Sequence, residues 1–248
     1  MDNISTWNLS KLPTIDDLKK LCKSISTLDA IICPEWEYRY YSYQNDWDKE
    51  LGEEYMEMRN GSGDHFSVLF TKDGSIINGQ AHESEMCNWQ NVEIKPKNFT
   101  QKLFGKKETE LKQTIWKGVI EKVPKEFQHF IFGEPIKSKG TTFCIWRKYS
   151  DNLWQVGDIN YPTDDYKDGS EDLLFILDNN PETYQKFAVD YYEDEFEFDI
   201  SKLNINLVKH IYNHSVLTKE IVLKLNPNIE EFEKLKSDLD EIGYPHEL

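Results

Sequence analysis

The chain has 248 residues, 38% of them hydrophobic and 13% aromatic, so it is long enough for one large domain or two small ones with a substantial core. Its 29 lysine and arginine residues stand against 45 aspartate and glutamate residues, which gives a formal net charge of −16. Such an acidic surface excludes nucleic acid and anionic lipid as ready partners, and it favours either basic protein partners or simple solubility.

The cysteines and the N-terminus indicate a compartment. The four cysteines (Cys22, Cys33, Cys87 and Cys144) show no CxxC spacing, which predicts reduced, mostly buried thiols rather than a disulfide framework. The N-terminal "MDNISTWNLSKLP" lacks the basic and apolar regions of a secretion signal, and no apolar run approaches the roughly 20 residues that a membrane helix needs. The sequence therefore predicts a cytoplasmic protein with no membrane partner.

The first predicted elements alternate between helix and strand. An amphipathic helix is predicted in "PTIDDLKKLCKSISTL", residues 13–28, with Thr14 as its N-cap. The aromatic "EWEYRYYSY", residues 35–43, predicts a strand, and "KELGEEYMEM", residues 49–58, predicts a short helix. "DHFSVLF" and "SIINGQAH" flank "TKDG", so residues 64–82 predict a β-hairpin.

A basic insert interrupts the acidic chain near residues 93–117. It contains seven lysines and three glutamates, a balance that predicts a surface excursion or a mobile connection. A helix is predicted next in "VPKEFQHFIF", residues 123–132. A strand follows in "TTFCIWRKY", residues 141–149, with "NLWQVGDI", residues 152–159, able to pair with it.

Beyond Pro162 the pattern becomes helical. Helices are predicted in "SEDLLFIL", residues 170–177, and in "NPETYQKFAVDYY", residues 180–192. Three more are predicted near residues 204–213, 218–225 and 228–242. The whole pattern predicts an α+β fold, with a mixed or antiparallel sheet, flanking helices and a helical C-terminal part. We assign residues 1–200 to an α+β body and residues 201–248 to a helical C-terminal subdomain.

The polar ends of the predicted hairpin form the first candidate site. Asp64 and His65 begin one strand, while His82 and Glu83 end the other, so antiparallel pairing brings them to one edge. Neighbouring strand residues point to opposite faces, and no HExxH or HxH spacing occurs. We therefore favour a structural histidine–carboxylate pair over a metal site, predict no metal or cofactor, and keep His65 and His82 as weak metal candidates.

The alternative is an enzyme, with a metal-dependent or small-ligand site at the hairpin edge, residues 61–87. Arg59 would then clamp an anion, and Arg147 would approach from a neighbouring strand. No nucleophile elbow, phosphate loop or EF-hand spacing supports catalysis, so the sequence favours a protein that is not an enzyme.

The second candidate site is the acidic segment "DYYEDEFEFD", residues 190–199. It interleaves aromatic residues with carboxylates and has no basic residue. Its carboxylates can form a solvated helix end and linker, or a surface that binds a basic protein. The partner-binding candidates are Asp190, Glu193, Asp194, Glu195 and Glu197.

Two resemblances bear on function. The stretches "CPEWEYRYYSY", "MRNGSGDHF", "GQAHESEM", "TTFCIWRKY", "DGSEDLLFILDNNPETY" and "IYNHSVLTKEIVLKLNPNIEEFEKLKSDLDEIGYP" resemble an uncharacterised bacterial protein family of unknown function, over most of the chain outside the insert. "GSGDHFSVLFTKDGSIINGQAHE", residues 61–83, is similar to the glycine–hairpin–HE signature of the SUKH superfamily. "VPKEFQHFI" resembles that superfamily's helix motif, which follows the hairpin here and precedes it in the superfamily.

These resemblances set the expected function. Many SUKH members are immunity proteins that bind and neutralise bacterial toxins, often basic nucleases. The SUKH resemblance therefore implies a protein-binding module with toxin immunity as its role, and the acidic composition independently favours a basic protein partner.

Overall fold

A five-stranded antiparallel sheet forms the centre of the protein in a computed structural model that describes residues 3–93, 109–162, 167–192, 200 and 203–248. The strands are β1 (Tyr41–Asp48), β2 (Glu53–Arg59), β3 (His65–Phe70), β4 (Gly74–Gln80), β5 (Trp89–Glu93), β6 (Thr109–Gln113), β7 (Phe143–Lys148), β8 (Leu217–Thr218) and β9 (His246–Glu247). The central sheet has the order β1-β2-β3-β4-β7, while β5 pairs with β6 and β8 with β9.

Helices lie on both faces of this sheet. They are α1 (Ile15–Ile32), α2 (Gln128–Phe132), α3 (Ile136–Lys139), α4 (Ser170–Leu173), α5 (Pro181–Tyr192), α6 (Ile205–Tyr212), α7 (Lys219–Leu225) and α8 (Phe232–Ile242). Short 3₁₀ turns occupy Trp36–Tyr38, Lys125–Phe127 and Phe175–Asp178. The predicted α+β fold class is confirmed, as is the hairpin, in which β3 pairs with β4 from His65 opposite Gln80 to Phe70 opposite Ser75.

The larger hydrophobic core lies between the first face of the sheet and α1. Helix α1 begins where the Thr14 side chain accepts a hydrogen bond from the backbone of Asp17, which confirms the predicted cap. Its apolar residues recur every three or four positions and are buried, so one face of the helix packs against the strands. Phe66 and Phe143 supply fully buried aromatic rings from the sheet.

The region predicted as a helical C-terminal subdomain, residues 201–248, packs into that same core over its described residues 203–248. Its buried apolar side chains belong to one cluster with those of α1 and the first face of the sheet. Hydrogen bonds reinforce the contact, since the Ser24 hydroxyl of α1 and the Tyr244 hydroxyl both donate to the carbonyl of Ile211. These helices therefore position α1 against the sheet.

A smaller core covers half of the second face. Tyr55, Leu69, Ile76 and Trp146 project from the strands and meet Phe127, together with other apolar side chains of residues 119–136. The other half of this face carries polar side chains.

Two predicted elements before the hairpin are wrong. Residues 35–43 form the 3₁₀ turn and only then the start of β1, because the Arg39 guanidinium donates to the carbonyls of Cys33 and Pro34 and folds the chain back. Residues 49–58, predicted as a helix, form a turn and most of β2, because both of its neighbouring strands pair with it and tertiary pairing overrides helix propensity.

The predicted basic insert begins at the last residue of β5, and its residues 109–113 form β6 while residues 114–117 follow that strand; residues 94–108 lie outside the described residues. The base of the two-stranded ribbon of β5 and β6 is tied to the sheet by Gln113, which donates to Gln80 and accepts from the backbone of Thr141. Among the helices that the structure describes, none combines the length and the hydropathy required to cross a membrane.

Candidate functional site

Asp64 and His82 meet at the open end of the β3–β4 hairpin. Asp64 Oδ1 accepts the backbone N–H of His82 at 2.8 Å and lies 2.8 Å from His82 Nδ1. The Asn60 side-chain amide donates to Asp64 Oδ2, also at 2.8 Å. This geometry is the histidine–carboxylate pair that the sequence favoured, and it closes the hairpin.

The pair changes the proton affinity of both partners. Burial alone would raise the pKa of Asp64, but the hydrogen bonds from His82 and Asn60 outweigh it and hold that pKa below its usual range. The hydrogen bond to Asp64 raises the pKa of His82. The Asp64 carboxylate thus favours the imidazolium form of His82.

Replacing Asp64 with asparagine is expected to lower the pKa of His82, because the amide carries no charge to stabilise the imidazolium. A pH titration of the ring protons of His82 by nuclear magnetic resonance measures the change. His214, whose pKa is lowered mainly by burial, lies elsewhere and should titrate identically in both proteins. An unchanged His82 titration would show that the pair does not persist in solution.

His65 points away from that pair. Arg59 lies directly opposite it on β2, so both project towards the second face of the sheet. Burial, with a smaller contribution from the positive charge of Lys139, lowers the pKa of His65 to about 4 and keeps its ring neutral at physiological pH. Its buried Nε2 has no hydrogen-bond partner among the described residues.

Arg147 lies at the opposite end of the hairpin. It pairs with Ser75 on β4, five residues from Gln80, which is about 17 Å along a strand. Glu83 is exposed, with its carboxylate 3.7 Å from His82 Nε2. The six residues proposed for the hairpin-edge site therefore lie in three separate places. Within the described ranges, no group of three or more His, Cys, Asp or Glu side chains could hold a metal ion.

A polar row on the second face was not predicted. Lys139 of α3 contacts the carboxylate of Glu57 and lies 3.1 Å from the Tyr55 hydroxyl, which in turn lies 2.7 Å from Ser67 Oγ. Ser, Tyr and Lys side chains in this order can move a proton, yet Ser67 is fully buried. The row therefore ties α3 to the sheet, and the Ser67 hydroxyl is not accessible to a substrate in this fold.

A buried carboxylate near the end of α1 was also missed. Asp29 Oδ1 accepts from the Tyr184 hydroxyl at 2.6 Å, and Oδ2 accepts from the Tyr192 hydroxyl at 2.9 Å and from the backbone N–H of Tyr41 at 2.8 Å. Asp29 thus joins α1, the start of β1 and both ends of α5. The sequence feature that could have indicated this site is an acidic residue in the last turn of an apolar helix. The helix dipole disfavours a negative charge there unless other groups stabilise it.

Two neighbouring cavities flank the end of α5. One, of 490 Å³, lies between this helix end, the segment Cys33–Arg39 and the loop after β2. The other, of 450 Å³, is lined by one acidic and one basic side chain, Asp190 and Lys186, together with Thr183 and aromatic residues of Phe175–Tyr191. Tyr191 lines both cavities. The candidates Glu193, Asp194, Glu195 and Glu197 follow in the sequence and lie outside the described residues.

Exposed aromatic side chains surround these cavities. Trp36 is 48% exposed, Tyr38 67% and Tyr191 40%, which is high for side chains of this size. Carboxylates alternate with them, and we call the whole set the acidic–aromatic surface. It consists of Glu35, Trp36, Glu37, Tyr38, Asp190 and Tyr191.

The acidic–aromatic surface joins two parts of the sequence that lie about 150 residues apart. Composition indicated only the later part, because residues 35–38 were predicted to be a strand in the sheet. In the structure they form an exposed turn, in which Glu35 pairs with Lys234 and the Trp36 ring lies under Arg59, while most of the Tyr38 side chain faces solvent. Comparison of the chain with protein-family models, with curated proteins and with solved structures found no match.

Proposed function

We propose that this chain is a cytosolic protein-binding module for a basic partner protein, with toxin immunity as its biological role. The observation that carries the proposal is the acidic–aromatic surface, which combines exposed aromatic rings with carboxylates beside two cavities. Tryptophan and tyrosine are enriched among the few residues that carry most of the binding energy of a protein interface. The similarity of residues 61–83 to the SUKH signature supports the immunity role.

Charge supports the choice of a basic partner. The net charge of −16 attracts a cationic protein from a distance, and complementary charges mainly raise the association rate. Glu37 and Asp190 contribute such charges beside the cavities, and neither forms an ion pair within the described part of the chain. The enzyme alternative at the hairpin edge has less support, because its candidate residues do not converge.

The charge-neutralising double variant Glu37→Gln/Asp190→Asn tests this proposal. Basic proteins retained by the immobilised wild-type chain are identified by mass spectrometry, purified and measured by surface plasmon resonance at several salt concentrations. We expect the variant to associate at least about threefold more slowly and with a weaker salt dependence, because rim charges act on the association rate.

The matched control is Glu50→Gln/Glu126→Gln, which removes the same charge from exposed positions outside the acidic–aromatic surface. This control should associate nearly as fast as the wild type. Equal effects of the two double variants would assign the binding to net charge alone and remove this surface from the proposal. Retention of no basic protein by the wild-type chain would overturn the proposed function.

A further inference from the structure

The 490 Å³ cavity is lined by charged side chains of both signs. These are Glu35, Glu37, Arg39 and Arg59. The volume of the cavity is within the range of pockets that bind small molecules. The chemistry of a guest therefore depends on which of the four charges are already neutralised inside the protein and which are not.

Two of the four charges have partners of opposite sign. Arg39 is buried, and its guanidinium donates to Asp238 Oδ2 at 2.5 Å. Glu35 forms an ion pair with Lys234 at 2.7 Å. A guest could use either charge only by breaking one of these salt bridges, so neither determines which guest the cavity prefers.

Arg59 keeps a positive charge that no described residue neutralises. Its Cζ lies 3.7 Å from the centroid of the Trp36 ring, and its Nη2 donates to the Trp36 carbonyl at 2.6 Å. Its Nε is buried without a hydrogen-bond partner in the described part of the chain, and Nη1 is not enclosed and donates to none of these residues. Trp36 thus holds the guanidinium in place without neutralising it. A planar carboxylate is the group that pairs best with such a guanidinium.

Glu37 keeps the matching negative charge. It is exposed and forms no ion pair with any described residue, and its carboxylate raises the pKa of the Tyr38 hydroxyl beside it. A tyrosine hydroxyl is neutral at physiological pH, so it does not compensate for the carboxylate. A purely anionic guest would gain at Arg59 and be repelled by Glu37, and a purely cationic guest would experience the reverse. A guest that carries both charges gains at both residues.

We propose that this cavity binds a free amino acid in its zwitterionic form, with the α-carboxylate on Arg59 and the α-ammonium on Glu37. The side chain of the amino acid then lies against Pro34 and the ring of Tyr38, which line the same cavity. A segment within a peptide chain lacks both charged groups, because its amino and carboxyl groups are joined in peptide bonds. This ligand site is independent of a basic partner protein.

The test uses the full chain labelled with nitrogen-15 and three probes that share one aromatic group. Phenylalanine carries both charges, 3-phenylpropanoate only the carboxylate and 2-phenylethylamine only the ammonium. Titrations at pH 7 are followed by nuclear magnetic resonance through the backbone amides of residues 35–39 and 59–61. We expect phenylalanine to shift these signals with a millimolar dissociation constant and each analogue to bind at least about tenfold more weakly.

Two variants assign the two charges of the ligand to their partners. Glu37→Gln should weaken binding of phenylalanine at least about threefold and leave 3-phenylpropanoate unchanged or bound more tightly, because a repelling charge is removed. Arg59→Gln should weaken phenylalanine and 3-phenylpropanoate but not 2-phenylethylamine, and Arg59→Lys, which keeps the charge, should restore part of the binding. The matched controls Glu126→Gln and Arg147→Gln remove the same charges from positions outside the cavity and should bind phenylalanine as the wild type does.

Several outcomes would overturn the inference. They are equal binding of phenylalanine and either analogue, shifts confined to other residues, equal effects of variants and controls, or no binding of phenylalanine. Because Glu37 is exposed, its variant tests the assignment even if the Arg59 variants fail to fold. No basic protein takes part in these titrations, so their failure would leave the proposed function standing, and their success would not rescue it.

Discussion

Replacing Gly79 with alanine is expected to destabilise the fold by about 3 kcal/mol. Gly79 lies near the end of the interior strand β4, between Phe66 of β3 and Phe143 of β7. A Cβ atom at this position would lie 2.0 Å from Phe143 Cζ and within 2.6 Å of both Cε atoms. Because the phenylalanine ring is fully buried, it cannot move aside without displacing the core around it. Urea denaturation of the two proteins measures the loss.

The variant Phe143→Ala tests whether steric overlap causes the destabilisation by Gly79→Ala. That change alone should cost about 3–5 kcal/mol through the cavity it leaves, but it also removes the atoms with which the methyl group introduced by Gly79→Ala would clash. The double variant should therefore lose clearly less than the sum of the two single losses. Additive losses would show that steric overlap is not the reason for glycine here. Gly52→Ala serves as a comparison, since Gly52 has φ +69° and no atom within 4 Å, and strain alone should cost about 1 kcal/mol.

Local patterns predicted the elements whose determinants lie within a few residues of each other. The turn "TKDG" and the apolar strands beside it specify the β3–β4 hairpin, and apolar periodicity with a capping residue specifies α1 and α5. The Asp64–His82 contact could also be anticipated, because antiparallel pairing fixes which ends of a hairpin meet.

The features that the sequence did not predict depend on residues that are distant from each other in the sequence. Asp29 meets Tyr184 across 155 residues, and Lys139 meets Glu57 across 82, so no local window contains either contact. The turn at residues 36–38 depends on one arginine, Arg39, reaching back to two carbonyls. The aromatic composition of that segment fits a strand equally well, and only the tertiary structure decides between the two.

Replacing Asp29 with alanine is expected to lower the free energy of unfolding by at least about 3 kcal/mol at pH 7. The change removes Asp29 as the acceptor of hydrogen bonds from the buried Tyr184 and Tyr192 hydroxyls and from the backbone N–H of Tyr41. Each unsatisfied buried donor costs about 1–3 kcal/mol, which exceeds what is recovered by removing one buried charge. Loss of this contact should also loosen the end of α5, and with it a wall of both cavities.

The conservative variant Asp29→Asn separates charge from hydrogen bonding. Its amide oxygen can still accept from Tyr41 and Tyr192, and its amide nitrogen can donate to the Tyr184 hydroxyl, so the variant should fold. It carries no proton that titrates in this range. The difference in unfolding free energy between wild type and Asp29→Asn, measured by urea denaturation from pH 4 to pH 7, then reports the ionisation of this one carboxyl.

The direction of that pH dependence follows from burial. Burial raises the pKa of Asp29 to about 6, against an opposing contribution from its hydrogen bonds, whereas in the unfolded chain the pKa is about 3.9. The native state therefore binds this proton more tightly. The stability that the proton contributes is fully present below pH of about 4, and it is lost as the pH rises through about 6. Relative to Asp29→Asn, the wild type should lose about 2 kcal/mol between pH 4 and pH 7 and change little above that. Parallel stability curves would mean that Asp29 is ionised in the native state across the whole interval, with its hydrogen bonds fully compensating for burial.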